Sequence, residues 1–383
     1  MNPVYWLTSF NLFGVALTLS DIFITFYIWE RSHDLLVITV YHLAMFIAIP
    51  LAAIFSGIIC EHKSPIVGFS LGLISRVIVL ISVILVSNFF TEKIWIFGLL
   101  YGFSIGLCAV SSNIIGSKIF EKSLERLISL NSAIGGAVNI FVPVISAFLI
   151  IRFGYTPILI VAAPFLIAAW LFVTQIKGIK FGDGRFTLLK VGNTSENNLI
   201  WLTQFVEGLK GGFLWAYGGI LAYTFVGGLA QWGVYNLVFS LLSIVVSLVL
   251  AKSFQLHLNK FFVVTVGLFY SIACLFLGAN LGLIFFIYYS FVLIFVSAVG
   301  WSSFWGTINK MMSLNSDFEK YRIEYYVASE LPLAIGRITP LLIIYAFRVH
   351  QFSDLVMRLS WVLIGLVPII SFSLLNKSQT WRE

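Results

Sequence analysis

Trp201-Leu202-Thr203-Gln204-Phe205-Val206-Glu207-Gly208-Leu209-Lys210-Gly211-Gly212 opens the second of two sets of long apolar runs. Its first residues repeat the start of the chain: Trp6-Leu7-Thr8-Ser9-Phe10 returns as Trp201-Leu202-Thr203-Gln204-Phe205. At almost the same offset, Tyr41-His42-Leu43 returns as Tyr235-Asn236-Leu237. A near-constant offset carried over two successive helices is what a duplicated half-protein leaves behind. The same stretch sets two ionisable groups, Glu207 and Lys210, in a segment that otherwise suits lipid.

Around it, 60% of the residues are hydrophobic, 16% aromatic and 10% charged, with a mean hydropathy of +1.01. That leaves too little polar surface to cover a water-soluble globule, so the chain is read as an integral membrane protein. A net charge of +7 would suit nucleic acid. The Lys and Arg residues, however, stand singly or in short clusters between apolar runs, as in membrane loops, and no nucleic-acid partner is expected. Cys60, Cys108 and Cys274 fall in or beside apolar runs, without metal spacing or evident pairing, and are read as inert packing residues. The first Lys or Arg is Arg31, and the first apolar run is longer than a signal h-region, so no cleavable leader is expected.

A spanning helix needs about 20 mostly apolar residues. Runs meeting that rule cover 5–29, 36–59, 66–88, 94–117, 128–151 and 158–176. A polar stretch, 177–198, reads as a cytoplasmic linker, and further runs cover 199–226, 232–250, 261–279, 281–308, 328–349 and 357–376. Six, a linker and six is the count the internal repeat demands. The fold class is therefore an all-α polytopic membrane protein with twelve transmembrane helices in two six-helix halves, 1–176 and 199–383. With the N-terminus inside, fifteen Lys and Arg residues, from Lys63 to Arg382, fall in inner loops and the tail. Five fall outside: Arg31, Lys93, Arg152, Arg348 and Arg358. This asymmetry orients the chain N-in and C-in, and halves that start on one side are parallel repeats about an axis along the membrane normal. The Asn193-Thr194-Ser195 sequon then falls in the cytoplasm and is read as chance. Gly98, Gly102 and Gly106 form a small-residue stripe that lets a neighbouring backbone approach, while Pro50, Pro143 and Pro340 sit inside runs where they loosen or kink helices.

Twelve helices in two parallel halves with a charged central loop resemble the major facilitator superfamily of secondary transporters. The loop between helices 2 and 3 of that superfamily carries a Gly, then an acidic residue four positions on. Gly57 and Glu61 match, His62 and Lys63 follow, and Ser64-Pro65 depart from the remainder of the pattern. The chain is more closely similar to a group of bacterial facilitator permeases. That similarity is carried by Phe26-Tyr27-Ile28-Trp29, by Tyr41-His42-Leu43 with Pro50, and by Glu207-Gly208-Leu209-Lys210-Gly211. Tyr321-Arg322-Ile323-Glu324-Tyr325-Tyr326-Val327-Ala328-Ser329-Glu330, leading to Gly336-Arg337, completes it. The resemblance implies a cytoplasmic-membrane protein that rocks two halves around a midplane site lined by helices 1, 4, 7 and 10. On those helices it implies a substrate cavity among Asn11, Tyr101, Asn113, Trp215, Tyr217, Tyr288, Trp301 and Trp305, a mixture of aromatic and polar groups that suits an amphipathic solute. Gating is expected at Gly57 and Glu61, and at Glu324 and Glu330 near the inner end of helix 11.

An ionisable residue within a span costs roughly 2.5–3.5 kcal/mol on insertion scales, so each needs a partner, a wet cavity or a function. Asp21 and His42 lie about 12 and about 9 Å from the outer ends of helices 1 and 2. At that depth they can form either a proton-handling carboxylate–imidazole pair or a static hydrogen bond. Glu207, Lys210 and Arg337 fall near one level. Glu207 and Lys210 have the i, i+3 spacing of a pair on one helix face. Alternatively, Arg337 takes Glu207 and leaves Lys210 facing the cavity, for an anionic group of the substrate or in place of a coupling cation. A closed cluster of all three without substrate contact is the plain structural reading. Arg76 is assigned a structural partner such as Asp21, or snorkelling.

No Gly-rich Lys-Ser/Thr loop and no His-Glu-x-x-His occurs, and Gly300-Trp301-Ser302-Ser303 lacks the second Gly of a nucleophile elbow. Neither ATP-driven transport nor hydrolysis is expected, and no metal or cofactor is called for. The expected protein is a monomeric secondary active transporter whose partners are a small solute, a coupling proton and the lipid bilayer. A flippase for lipid or lipid-linked precursors and a non-transporting membrane scaffold or sensor are the rivals.

Overall fold

In lipid only a helix or a closed barrel satisfies each backbone N–H and C=O internally, so apolar runs of this length fold as helices. The computed structural model describes residues 3–85, 92–119, 138, 142, 145–146, 148–176, 186–188, 191, 194–252, 260–296, 301–348 and 353–378. Among these residues there are helices and no strand. In the N-terminal half the described helices are α1 (Pro3–Ser32), α2 (Leu35–His62), α3 (Pro65–Leu85), α4 (Ile94–Ile119) and α5 (Thr156–Thr174). In the C-terminal half they are α6 (Ser195–Val226), α7 (Leu229–Lys252), α8 (Lys260–Ala279), α9 (Leu283–Phe295), α10 (Trp301–Ser313), α11 (Arg322–Ala346) and α12 (Asp354–Leu375). Seven of them, α1 to α5 with α11 and α12, are each long and apolar enough to cross a membrane. The architecture is that of a multi-pass membrane protein.

These helices are not the apolar runs one for one. The run 128–151, with Pro143, falls mostly outside the described residues, as does most of the linker. The run 281–308 holds α9 and α10, and residues 297–300 between them lie outside the described residues. The helices α6 and α11 begin well before their apolar runs. Thr194 Oγ1 accepts from the Asn197 amide at 3.1 Å and so starts α6 at Ser195. α11 starts at Arg322, where polar first turns precede the apolar core. Between α6 and the next helix the chain bends by 108°, at Gly227 and Gly228, whose φ of 88° and 145° favour residues without a Cβ.

Small residues decide which helices meet. On α4, a Cβ at Gly98, Gly102 or Gly106 would collide with the carbonyls of Tyr41, Met45 and Ile49 on α2, so the stripe is the seam along which α2 and α4 pack backbone to backbone. The C-terminal half repeats the device. Gly208 and Gly212 of α6 face the backbone of Leu333 and Arg337 on α11, and Gly336 faces Phe205 in return. Across the halves α2 lies along α11, with Gly57 beneath Val327 and the linker residue Phe186. That contact belongs to a buried cluster at the end of the bundle bearing the linker, which joins Ala53, Ile114, Ile308, Tyr325 and Val327. A polar brace fixes the same end: Asn315 Nδ2 donates to Asn197 Oδ1 at 3.2 Å, and the Tyr325 hydroxyl donates to Asp317 Oδ1 at 2.8 Å. Outward faces carry large exposed apolar side chains, among them Phe55, Ile78 and Leu363, as a lipid-facing surface requires.

Candidate functional site

Two buried charge networks form inside the halves, and a third group of charges lines the space between them. In the N-terminal half Arg76 of α3 is 1% exposed. Its guanidinium lies 3.6 Å from Asp21 Oδ1 on α1. It donates to Ser104 Oγ at 3.1 Å and to Ser20 Oγ at 3.4 Å, and stacks 3.2 Å from the centre of the Tyr101 ring. The Tyr101 hydroxyl donates to Asp21 Oδ1. A buried guanidinium demands this many partners, because removing it from water costs several kcal/mol unless its charge and its donors are both met. Asp21 is the open end of the network: its side chain is 26% exposed, with Trp215 of α6 beside it. The structure does not bring His42 to Asp21. The His42 ring is buried against Tyr41 and Phe46, with Nδ1 3.0 Å from the Ile38 carbonyl of its own helix.

In the C-terminal half Lys210 Nζ sits 2.5 Å from Glu207 Oε2, the i, i+3 pair that the spacing allows. Ser371 of α12 donates to Glu207 Oε1 at 2.8 Å, and Lys210 lies 5.8 Å from the ring centre of Tyr270 on α8. The pair therefore points into the interior of its own half. Arg337 does not take Glu207, and Lys210 does not face the cavity. The cause is helix rotation: the face of α6 that carries Gly208 and Gly212 is committed to α11, which turns Glu207 and Lys210 toward α8 and α12.

Arg337 instead belongs to the space between the halves. Its Nη1 is 3.9 Å from Glu330 Oε2, and the side chains are 16% and 11% exposed. Its guanidinium also lies 5.3 Å from the ring centre of Trp215 and 5.9 Å from that of Phe46, which pack on each other at 5.5 Å. Arg337 and Glu330 line a cavity of ≈ 230 Å³ between α4, α6, α10 and α11, together with Asn113, Gln204, Asn309, Met312, Tyr326, Ser329 and Leu333. Gln204 is 1% exposed, and its Oε1 has no hydrogen-bond partner among the described residues.

Of the residues named for a cavity, Asn113 lines this one and Trp215 backs its arginine. Tyr101 serves Asp21 and Arg76 inside the N-terminal half, and Tyr217 is fully buried, its hydroxyl 2.6 Å from Thr39 Oγ1 of α2. Asn11 donates to the Leu7 carbonyl of its own helix. Tyr288 is 36% exposed, because the register of α9 turns Tyr289 inward onto Trp361. Trp301 and Trp305 lie on α10, and their side chains are outside the described residues. Among the expected gating residues, Gly57 does lie at a contact between the halves. Glu324 accepts from the Thr187 amide of the linker at 3.3 Å, Glu330 pairs with Arg337, and Glu61 lies partly buried near the end of α2. Reading by charge overlooks Gln204, Asn309, Tyr326 and Ser329. One signal for them is present in the sequence: Tyr326, Ser329, Glu330, Leu333 and Arg337 follow the i, i+3, i+4, i+7, i+11 spacing of a single helix face.

No family model matches the sequence. The Bacillus subtilis (strain 168) "Uncharacterized protein YqgE" is 21% identical over 382 residues, which span 95% of this chain and 86% of that protein. The structure is similar to that of the nucleoside transporter NupG, with a TM-score of 0.64 and 11% identity over 97% of each chain. It is also similar to the E. coli fucose:proton symporter FucP, with a TM-score of 0.64 and 14% identity over 96% of this chain and 98% of that one. The D-xylose-proton symporter gives 0.65 at 10% identity, over 95% of this chain and 96% of that one. These likenesses extend over nearly the whole of both chains and show that this chain has the fold of the major facilitator superfamily.

Proposed function

We propose that the protein is a secondary active transporter that moves a small solute across the cytoplasmic membrane by alternating access. It has twelve spans in two parallel halves, 1–176 and 199–383, joined by a cytoplasmic linker, with both termini inside, and it works as a monomer. The observation that carries this reading is the ≈ 230 Å³ cavity between the halves, walled by an Arg–Glu pair and side-chain amides. Contacts bound it on both sides along the bundle. Toward the linker Gly57 meets Val327 and Phe186. Toward the opposite end Thr39 meets Tyr217, and Phe26 packs at 5.6 Å on Tyr223 and at 5.0 Å on Trp232. Small aromatic and hydroxyl contacts of this kind can part and re-form as the halves rock, one end at a time. The small volume of the cavity and the charged and amide groups on its wall favour a small solute over a lipid, whose acyl chains call for an apolar lateral groove.

Coupling to a proton rests on Asp21. It is held by a buried cation within its own half and is open on one side, next to Trp215 across the interface. Protonation there breaks its tie to Arg76 and Tyr101 and changes what the N-terminal half presents to α6. Glu207 is engaged with Lys210 and Ser371 within its own half and is assigned a structural role. The test uses purified protein in proteoliposomes with an imposed proton gradient. Asp21→Asn is expected to abolish uphill accumulation while leaving exchange of labelled for unlabelled solute within about twofold. Undiminished uphill transport by Asp21→Asn would remove Asp21 from coupling, and absence of exchange by the wild-type protein across a broad solute panel would remove the transporter reading.

A further inference from the structure

We propose that the cavity between α4, α6, α10 and α11 binds a small zwitterion of the α-amino-acid type, with its carboxylate on Arg337 and its ammonium on Glu330. This rests on the transporter reading only in naming the occupant as substrate; the binding chemistry stands on the cavity itself.

Arg337 has five N–H donors, none of which makes a hydrogen bond among the described residues; its contacts are the Glu330 carboxylate at 3.9 Å and the faces of Trp215 and Phe46. Among the described residues, Glu330 likewise accepts no hydrogen bond, and its ion pair is with Arg337. A gap of 3.9 Å is longer than a charge-assisted hydrogen bond, so the two charges attract without using their donors and acceptors. The contrast within this chain is direct: Arg76 donates to two hydroxyls besides facing Asp21, and Glu207 accepts from both Lys210 and Ser371. Gln204, 1% exposed, adds an Oε1 without a donor on the same wall. Three polar side chains left incomplete around one cavity define what completes them: an acceptor for the guanidinium, a donor for the carboxylate and a donor for the amide oxygen.

Charge narrows the class. The wall carries one positive and one negative group, so a ligand of net charge leaves one of them facing a like charge in a site of low dielectric. A neutral ligand with separated charges meets both. The short spacing between Arg337 and Glu330 is of the same order as that between the ammonium and the carboxylate of an α-amino acid, so the two dipoles can lie head to tail. Asn113 and Asn309 flank the position with further amides, and Met312 and Leu333 offer an apolar wall to a side chain. The cavity volume of ≈ 230 Å³ limits the ligand to a small molecule.

The test is ligand binding to the purified full-length protein in detergent, followed by Trp fluorescence and by thermal unfolding. The probes are the protein α-amino acids, each with its decarboxylated amine and its deaminated acid, plus fucose and uridine as uncharged polyhydroxy compounds. At least one amino acid is expected to bind, with both truncated partners weaker by about tenfold or more. Gln204→Met, which keeps the side-chain volume and removes Oε1, should weaken that amino acid by about tenfold. Charge swaps provide a readout that a merely structural pair would not move. Glu330→Gln should shift preference to the deaminated acid, and Arg337→Gln to the decarboxylated amine. Equal responses of both variants to all three members of a series would overturn the proposal, as would binding of the sugar or nucleoside with no amino acid bound, or no response to any probe. Amino-acid binding without transport in proteoliposomes would leave this site standing and remove the transporter reading.

Discussion

Lys210 and Arg337 are both cations on helices packed against each other, and their nearest carboxylates set them apart. Glu207 approaches Lys210 to 2.5 Å and is itself held by Ser371, whereas Glu330 stays 3.9 Å from Arg337. The first pair is closed. Removing one member of a buried pair strands the other charge and costs about 3–5 kcal/mol, while replacing both with neutral groups of similar size is often nearly neutral. Lys210→Met is therefore expected to lower stability by about that amount in thermal or denaturant unfolding. The double variant Glu207→Gln/Lys210→Met should recover most of it and exchange solute as the wild-type protein does. A double variant that is stable yet inactive would reinstate the pair as part of the transport site. The identity of these in-span charges is plain in the sequence, because so few ionisable residues interrupt the apolar runs. Their partners are legible only in part. Spacing along one helix yields Glu207 with Lys210, and Asp21 stands among the readings for Arg76, as the structure has it; that Glu330 and not Glu207 takes Arg337 depends on helix rotation, which is set by contacts far away in the chain.

Among the helices, the glycine seams set how α4 meets α2 and how α6 meets α11. Gly102 lies against the Met45 carbonyl, so any side chain there must push α4 away from α2. Gly102→Val is expected to cost about 3 kcal/mol or more, or to abolish folded yield in detergent size-exclusion chromatography. Gly14→Val, at a glycine of α1 with open space around it, should be tolerated. Equal behaviour of the two variants would mean that α2 and α4 are not held by this seam. The small-residue stripe on α4 is legible in sequence because its period of four is unusual among bulky neighbours. That it receives α2 is not, since periodicity identifies a face and not what comes to rest on it. The polar face of α11 is legible too, from Tyr326 to Arg337 at helical spacing. A ranking of residues by charge passes over its uncharged members, and with them the cavity wall.

At the level of the whole molecule, duplication shows itself in both sequence and structure. The repeated Trp-Leu-Thr segments open α1 and α6, and each half has one helix pair zipped along glycines. Among the described residues, three ion pairs within the spans, Asp21 with Arg76, Glu207 with Lys210 and Glu330 with Arg337, are each made between residues of one half. Among the described residues, these three pairs take no counterion from the other half. The covalent bridge is then expected to act as a tether between the halves and not as the source of their stability. A chain opened between Val191 and Thr194 and produced as two polypeptides should assemble in the membrane, co-purify through a tag on one piece, and exchange solute. Failure of the pieces to associate, with each inserted normally, would show that the tether itself supplies the stability. Among the described residues, the two halves touch through rings, hydroxyls and glycines, while these three ion pairs are spent within each half.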